Sequence, residues 1–78
     1  YVPVFTAGTG DLPVAFETVN TVKVLGVNTE MIADVGVAGL HRLLKYREHI
    51  QRADCIIVIA GMDGALPSVV GGLADCPV

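Results

Sequence analysis

The sequence contains no tryptophan and only four other aromatic residues, so any core it builds is aliphatic. Cysteine is equally sparse. Two residues, Cys55 and Cys76, are far from the density of a small secreted disulfide scaffold, and the expectation is two free thiols. Cys55 opens the run Cys55-Ile56-Ile57-Val58-Ile59-Ala60, where it reads as a small hydrophobe. No stretch of about 18 apolar residues is present, which excludes a membrane-spanning helix. Cations are few: five Lys and Arg stand against eight Asp and Glu, a net charge of −3. Arg42, Lys45, Arg47 and Arg52 share one helical segment and form no basic patch, which argues against a nucleic-acid partner. Nor is there a charged leader with an apolar core and a cleavage site, and the reading is a cytoplasmic protein without a membrane partner.

What the chain has in quantity is aliphatic residues and glycine: 53% of it is hydrophobic and nine residues are Gly. That composition is globular, yet 78 residues is short for an α/β domain that must cover a sheet on both faces. The chain opens on Tyr1-Val2-Pro3-Val4-Phe5 without an initiator Met and stops just after Cys76-Pro77, where a fourth strand is expected to start. Residues 1–78 therefore read as part of a domain that is incomplete at its C-terminus.

Short β-rich runs alternate with helical patterns, the mark of βαβ units and a parallel sheet with helices on both faces. The first strand is expected from Val2 to Ala7, followed by the turn Gly8-Thr9-Gly10-Asp11. Asp11 is then expected to cap a helix that has Pro13 in its first turn and runs to about Leu25. Ala15, Val19 and Val22 give that helix its sheet-facing stripe, and Gly26 suits the left-handed residue that closes it. A second strand spans Thr29 to Val35, with the loop Gly36-Val37-Ala38-Gly39 after it. A second helix from Leu40 to Arg52 turns Leu40, Leu43, Leu44 and Ile50 inward. The run from Cys55 to Ala60 reads as a central strand buried on both faces. Gly61-Met62-Asp63-Gly64 is a third loop, and Ala65 to Leu73 makes a short helix with Pro67 in its first turn.

In this order, the three glycine-rich loops all follow strand C-termini and gather on one edge of the sheet, the edge where open α/β sheets bind ligands. Each loop alone is what any strand-to-helix turn needs. Together they suit a phosphorylated ligand, since Gly8 to Asp11 sets free N–H groups beside a helix start. Neither a P-loop nor a complete dinucleotide fingerprint is present.

Three strings carry a resemblance: Ala7-Gly8-Thr9-Gly10-Asp11-Leu12-Pro13-Val14, Gly39-Leu40-His41-Arg42, and Ala60-Gly61-Met62-Asp63-Gly64-Ala65-Leu66-Pro67. In order and spacing they resemble the ligand loops of the PurE family of phosphoribosyl-aminoimidazole carboxylases and mutases. The longer strings Asp34 to Arg42 and Gly64 to Leu73 are most similar to its LarB branch, the pyridinium-3,5-biscarboxylate mononucleotide synthases of nickel-pincer cofactor biosynthesis. The resemblance covers essentially the whole chain. It implies a three-layer flavodoxin-like (PurE-like) fold and a homo-oligomer, since relatives form symmetric octamers. It further implies an enzyme that carboxylates nicotinic acid adenine dinucleotide with CO2 or bicarbonate as co-substrate and hydrolyses its phosphoanhydride, releasing AMP. No organic cofactor is implied. No metal-ligand spacing is present, and the sequence leaves open whether anhydride cleavage takes a divalent ion such as Mg2+.

An electron-poor pyridinium cannot attack CO2 until a nucleophile has added to the ring, and a thiolate gives the neutral enamine-like species that can. Cys76 is the expected nucleophile, although a free thiol with a pKa of about 8.5 needs a positive environment to act at neutral pH. The resemblance implies proton transfer by His41 and by Asp63, and ligand contacts from Gly8, Thr9, Gly10, Asp11, Gly39, Arg42, Gly61, Met62, Gly64 and Ser68. By chemistry alone, a histidine at a helix start is an ordinary exposed residue, Arg42 a surface charge, and Cys76 a small apolar residue opening a strand. The sequence departs from the pattern twice. Gly10 stands where both branches usually carry Ser, and Asp63 where LarB relatives often carry Glu. Two other readings compete: a carboxylase or mutase of aminoimidazole ribonucleotides, which needs no thiol, and a module that binds a phosphoribosyl ligand without chemistry.

Overall fold

In the computed structural model the described residues are 1–61 and 64–78. Three strands form a parallel sheet: β1 (Val4–Thr6), β2 (Met31–Ile32) and β3 (Ile57–Ile59). Their order is β2-β1-β3, with Val4 beside both Met31 and Ile57. This is how a flavodoxin-like sheet begins, with the second and third strands on opposite sides of the first. Helix α1 (Leu12–Val24) links β1 to β2, α2 (Leu40–Leu44) and α3 (Arg47–Arg52) link β2 to β3, and α4 (Leu66–Leu73) follows β3.

Alternation along β1 divides the core into two, because successive side chains of a strand point to opposite faces. Val4 packs with Ala15 and Val19 of α1, flanked by Met31, Ile57 and Ile59. Phe5 points the other way, into a larger cluster with Ile32, Val35, Leu43, Ile50, Ile56, Leu66 and Val70. Helices thus cover both faces, α1 on one and α2 to α4 on the other, as right-handed crossovers running in opposite directions from β1 require.

Several local expectations are corrected. The second helix is not continuous: it breaks between Leu44 and Arg47, where the Tyr46 N–H bonds the Leu43 carbonyl at 2.9 Å in a tightened turn. Leu43 and Ile50 keep their place against the sheet, but Leu40 and Leu44 are 43% and 41% exposed, outside the core assigned to them. Residues Ile57–Ile59 are half-buried rather than enclosed, because β3 is an edge strand of the described sheet and the central place expected for it is held by β1. No strand is assigned at Cys76, yet the Ile56 N–H bonds the Pro77 carbonyl at 2.9 Å, so Pro77 already lies alongside the β3 edge. Gly26 closes α1 in the left-handed conformation as expected (φ +79°).

Candidate functional site

The segments that follow the three strands meet at one cavity of about 180 Å³. Ala7 lines it after β1, Gly36, Val37 and Ala38 after β2, and Ala60, Gly64, Ala65 and Leu66 after β3. It sits where strand order reverses about β1, the crevice in which open α/β sheets take ligands. Among the described residues its lining carries no ionisable side chain, so what they offer is shape, apolar surface and backbone. Apolar cavities of about 150 Å³ accept benzene, whereas whole drug-sized ligands need roughly 300 Å³ or more. One ring or one phosphate group fits here, and the rest of a larger ligand would overhang the rim.

Small residues are needed at this place for a physical reason. The Gly36 N–H donates to the Ala7 carbonyl at 2.9 Å, and a Cβ on Gly36 would stand 2.6 Å from that same oxygen. Gly64 has φ +51°, a conformation strained for any side chain. Gly8 and Gly10 are different: a Cβ at either would meet nothing within 4 Å.

Charged side chains stand on or beside the same loops, outside the cavity's described lining. Thr9 to Asp11 form a 3-10 turn continuous with α1, and Asp11 does not cap α1 with its side chain as expected. Its carboxylate instead accepts the Gly8 N–H at 3.2 Å, because the helical path begins one turn earlier and places Asp11 where it reaches back to the turn's start. Asp11 Oδ1 also lies 3.4 Å from where a Cβ on Gly61 would be, which brings the first and third loops together. On the second loop, the Arg42 Nη1 donates to Asp34 Oδ2 at 3.0 Å, and the Arg42 side chain folds over Gly39, 3.4 Å from the position of a Cβ there. The backbone of Asp34 is left-handed (φ +57°), and its N–H donates to the Oγ1 of the fully buried Thr6 at 3.1 Å.

Other expected site residues stand further off. His41 is exposed and lies two positions before the buried Leu43, about 200° around the helix and so directed away from the sheet. Ser68 is exposed on α4, one turn beyond the Ala65 and Leu66 that line the cavity. Thr9 and Gly10 are exposed on the first loop. Met62 and Asp63 lie outside the described residues. Among the described residues no group of three or more His, Cys, Asp or Glu stands close enough to hold a metal ion.

Cys76 is the substantive correction. Its neighbour Pro77 bonds Ile56 just before β3, whereas the ligand loop begins at Gly61 after it, five residues and about 16 Å along the strand. Cys76 therefore lies at the opposite edge of the sheet, packed half-buried against the Phe5 cluster. Burial first, then the neighbouring Cys55, Asp54 and Asp75, push its thiol pKa above the ordinary 9.0. A nucleophilic thiolate needs the reverse, and this position sets Cys76 apart from the loops where it was expected to act.

Thr6 and Asp34 were not singled out from the sequence, and Gly36, which lines the cavity, entered only as part of its glycine-rich loop. Gly36 carried a signal, a glycine at the first turn after a strand. Asp34 carried only the tolerance of Asp for positive φ. A larger hollow of about 430 Å³ lies between α1 and Ile57, but no loop residue lines it and it opens on the sheet's flank.

Fold and site together define a parallel α/β protein with a small-residue cavity at the C-terminal edge of its strands. No family model matches the chain. Over 79 residues it is 48% identical to the uncharacterized protein MJ0165 of Methanocaldococcus jannaschii, a match that covers 99% of the chain. The chain spans 31% of that relative's length.

Proposed function

We propose that residues 1–78 form the heterocycle-binding edge of a PurE-like carboxylase of the LarB branch, which carboxylates the pyridinium ring of nicotinic acid adenine dinucleotide and releases AMP. The observation that supports this most is that the loops after all three strands line one cavity of ring size, with Asp11, Asp34 and Arg42 on or beside those same loops. In this reading the ring enters the aliphatic cavity, and its phosphates lie across the rim by Arg42 and the Gly8 to Asp11 turn. The thiol that adds to the ring is neither Cys76 nor Cys55, which immediately precedes Ile56 at the far edge of β3. It comes from outside residues 1–78. Addition of that thiolate gives the enamine-like ring that attacks CO2, and loss of the ring proton and the thiolate restores aromaticity. His41 serves as the proton acceptor only for a ligand that overhangs the rim.

The position of Cys76 supports a second reading, carboxylation or carboxylate migration on an aminoimidazole ribonucleotide. That ring is electron-rich and attacks CO2 without a thiol. Incubating the full-length protein with bicarbonate and each heterocycle separates the two readings. AMP release with labelled CO2 carried into the pyridinium mononucleotide supports the first. A carboxylated aminoimidazole with no AMP supports the second. Binding without product would sink both in favour of a non-catalytic module.

A further inference from the structure

We infer that Asp34 is a positioning residue, whose work is to orient the Arg42 guanidinium toward an anionic group of the ligand at the cavity rim. The inference rests on the proposed binding of a phosphorylated heterocycle at this edge and adds a residue to it. Four observations lead to it. Asp34 is the one non-glycine residue with positive φ among those described (φ +57°). A left-handed backbone at a side-chain-bearing residue costs free energy and persists where the surroundings enforce it. Here they do: the Asp34 N–H is held by the hydroxyl of the fully buried Thr6, and the next N–H, of Val35, bonds the Thr6 carbonyl at 3.0 Å. The strain is thus anchored in the end of β1, the strand whose following residue, Ala7, lines the cavity.

What this anchoring achieves is to fix the carboxylate. Its Oδ2 takes Arg42 Nη1 at 3.0 Å, with both side chains 53% exposed. An ion pair this exposed adds little to stability, so stability does not account for a strained residue maintained to make it. Geometry does. With Nη1 bound to Asp34 and the side chain lying over Gly39, the planar guanidinium is fixed by one corner, and its remaining donors, which bond no other described residue, can take a second, ligand-borne anion. Lysine has no such fork and would gain nothing from Asp34.

A double-mutant cycle on the full-length protein tests this, with nicotinic acid adenine dinucleotide binding measured by calorimetry. Asp34→Asn keeps a residue tolerant of positive φ but loses the ion pair, and is expected to weaken binding about fivefold with little change in melting temperature. Arg42→Lys is expected to weaken it about tenfold. Combined, they should lose about tenfold and not the roughly fiftyfold of independent effects, because Asp34 acts only through the fork that Lys lacks. Asp34→Gly relieves the strain, and should bind like Asp34→Asn while folding at least as well. Losses that multiply, or wild-type affinity in Asp34→Asn, overturn the inference while leaving the binding reading intact. An absence of dinucleotide binding by the wild-type protein overturns both.

Discussion

Replacing Gly36 with Ala tests whether the cavity depends on the close approach of two backbone segments. The backbone of Gly36 (φ −58°, ψ 156°) is open to any residue, so no strain arises from conformation. On that count alone Ala would stabilise by about 0.4–1 kcal/mol, since it restricts the unfolded chain. The added Cβ, however, would lie 2.6 Å from the Ala7 carbonyl oxygen and 3.4 Å from its carbon. Normal carbon–oxygen contact needs several tenths of an ångström more, and the obstacle is backbone tied to β1 rather than a mobile side chain. Such overpacking costs about 1–3 kcal/mol, which outweighs the entropic gain and leaves a net loss of about 1–2 kcal/mol. Relief requires the Gly36 loop to move from β1, lengthening the 2.9 Å Gly36–Ala7 hydrogen bond and opening the cavity that both residues line. Gly10→Ala is the control, because a Cβ there meets nothing within 4 Å and should be neutral or slightly stabilising. Urea denaturation of the full-length variants reads the difference as a shift in midpoint at constant slope. Equal stability of Gly36→Ala and Gly10→Ala would refute the packing argument.

Cys76→Ser should leave turnover of any substrate held by the loops within about twofold, while destabilising by about 1 kcal/mol as a hydroxyl replaces a thiol packed on the Phe5 cluster; loss of activity in a variant that still folds would restore Cys76 to the site. Because its pKa is raised, Cys76 should react with iodoacetamide at pH 8 more slowly than a free model thiol, and faster alkylation would contradict its burial among Asp54, Asp75 and Cys55. Tyr1 also has a raised pKa, chiefly from burial and next from its hydrogen bond to Glu30. The folded state thus holds the phenol proton longer than the unfolded chain does, and this stabilisation is complete below pH 10.0 and lost as pH rises through the folded value. Tyr1→Phe, made alongside Cys76→Ser so that the thiol does not contribute, should flatten the alkaline fall in stability; an unchanged slope in urea titrations between pH 9 and 11 would count against it.

Element order and the convergence of loops on one edge were legible because they follow from periodicity and connectivity. Ala15 and Val19 of the expected α1 stripe, the left-handed Gly26 and the buried pair Leu43, Ile50 stand as the pattern implied, whereas Val22, the third of that stripe, is only half-buried and outside the core. What escaped were features set by tertiary geometry. The tightened turn at Tyr46 keeps the same face inward, so the apolar spacing is silent about it. The positive φ of Asp34 depends on the Thr6 hydroxyl, 28 residues earlier in the chain. Asp11 looked like a cap because the 3-10 turn ahead of it has no apolar signature. The misplacement of Cys76 has another origin. In a parallel sheet, a residue between a helix and the following strand lies at the strand's start, opposite the loops that leave strand ends, so connectivity alone already separated it from the glycines.

That separation has a wider consequence, for the two edges of this sheet are built differently. At the edge where strands begin, long side chains tie elements together: the Tyr1 hydroxyl donates to Glu30, and Arg52 stacks 4.5 Å over the Tyr1 ring. Arg52 and His49 of α3 each lie 3.6 Å from the same Glu30 carboxylate. One carboxylate just before β2 therefore joins Tyr1 to α3. At the opposite edge the residues that meet are Ala7, Gly36, Ala38, Ala60, Gly64 and Ala65, whose short side chains leave a cavity between backbones. Among the described residues, charge there stands outside the cavity lining. The division lets the strand starts carry the ties while the strand ends stay open, and a substitution should reveal its edge by what it disturbs. Glu30→Gln should weaken folding and leave ligand affinity unchanged, whereas Asp34→Asn should do the reverse.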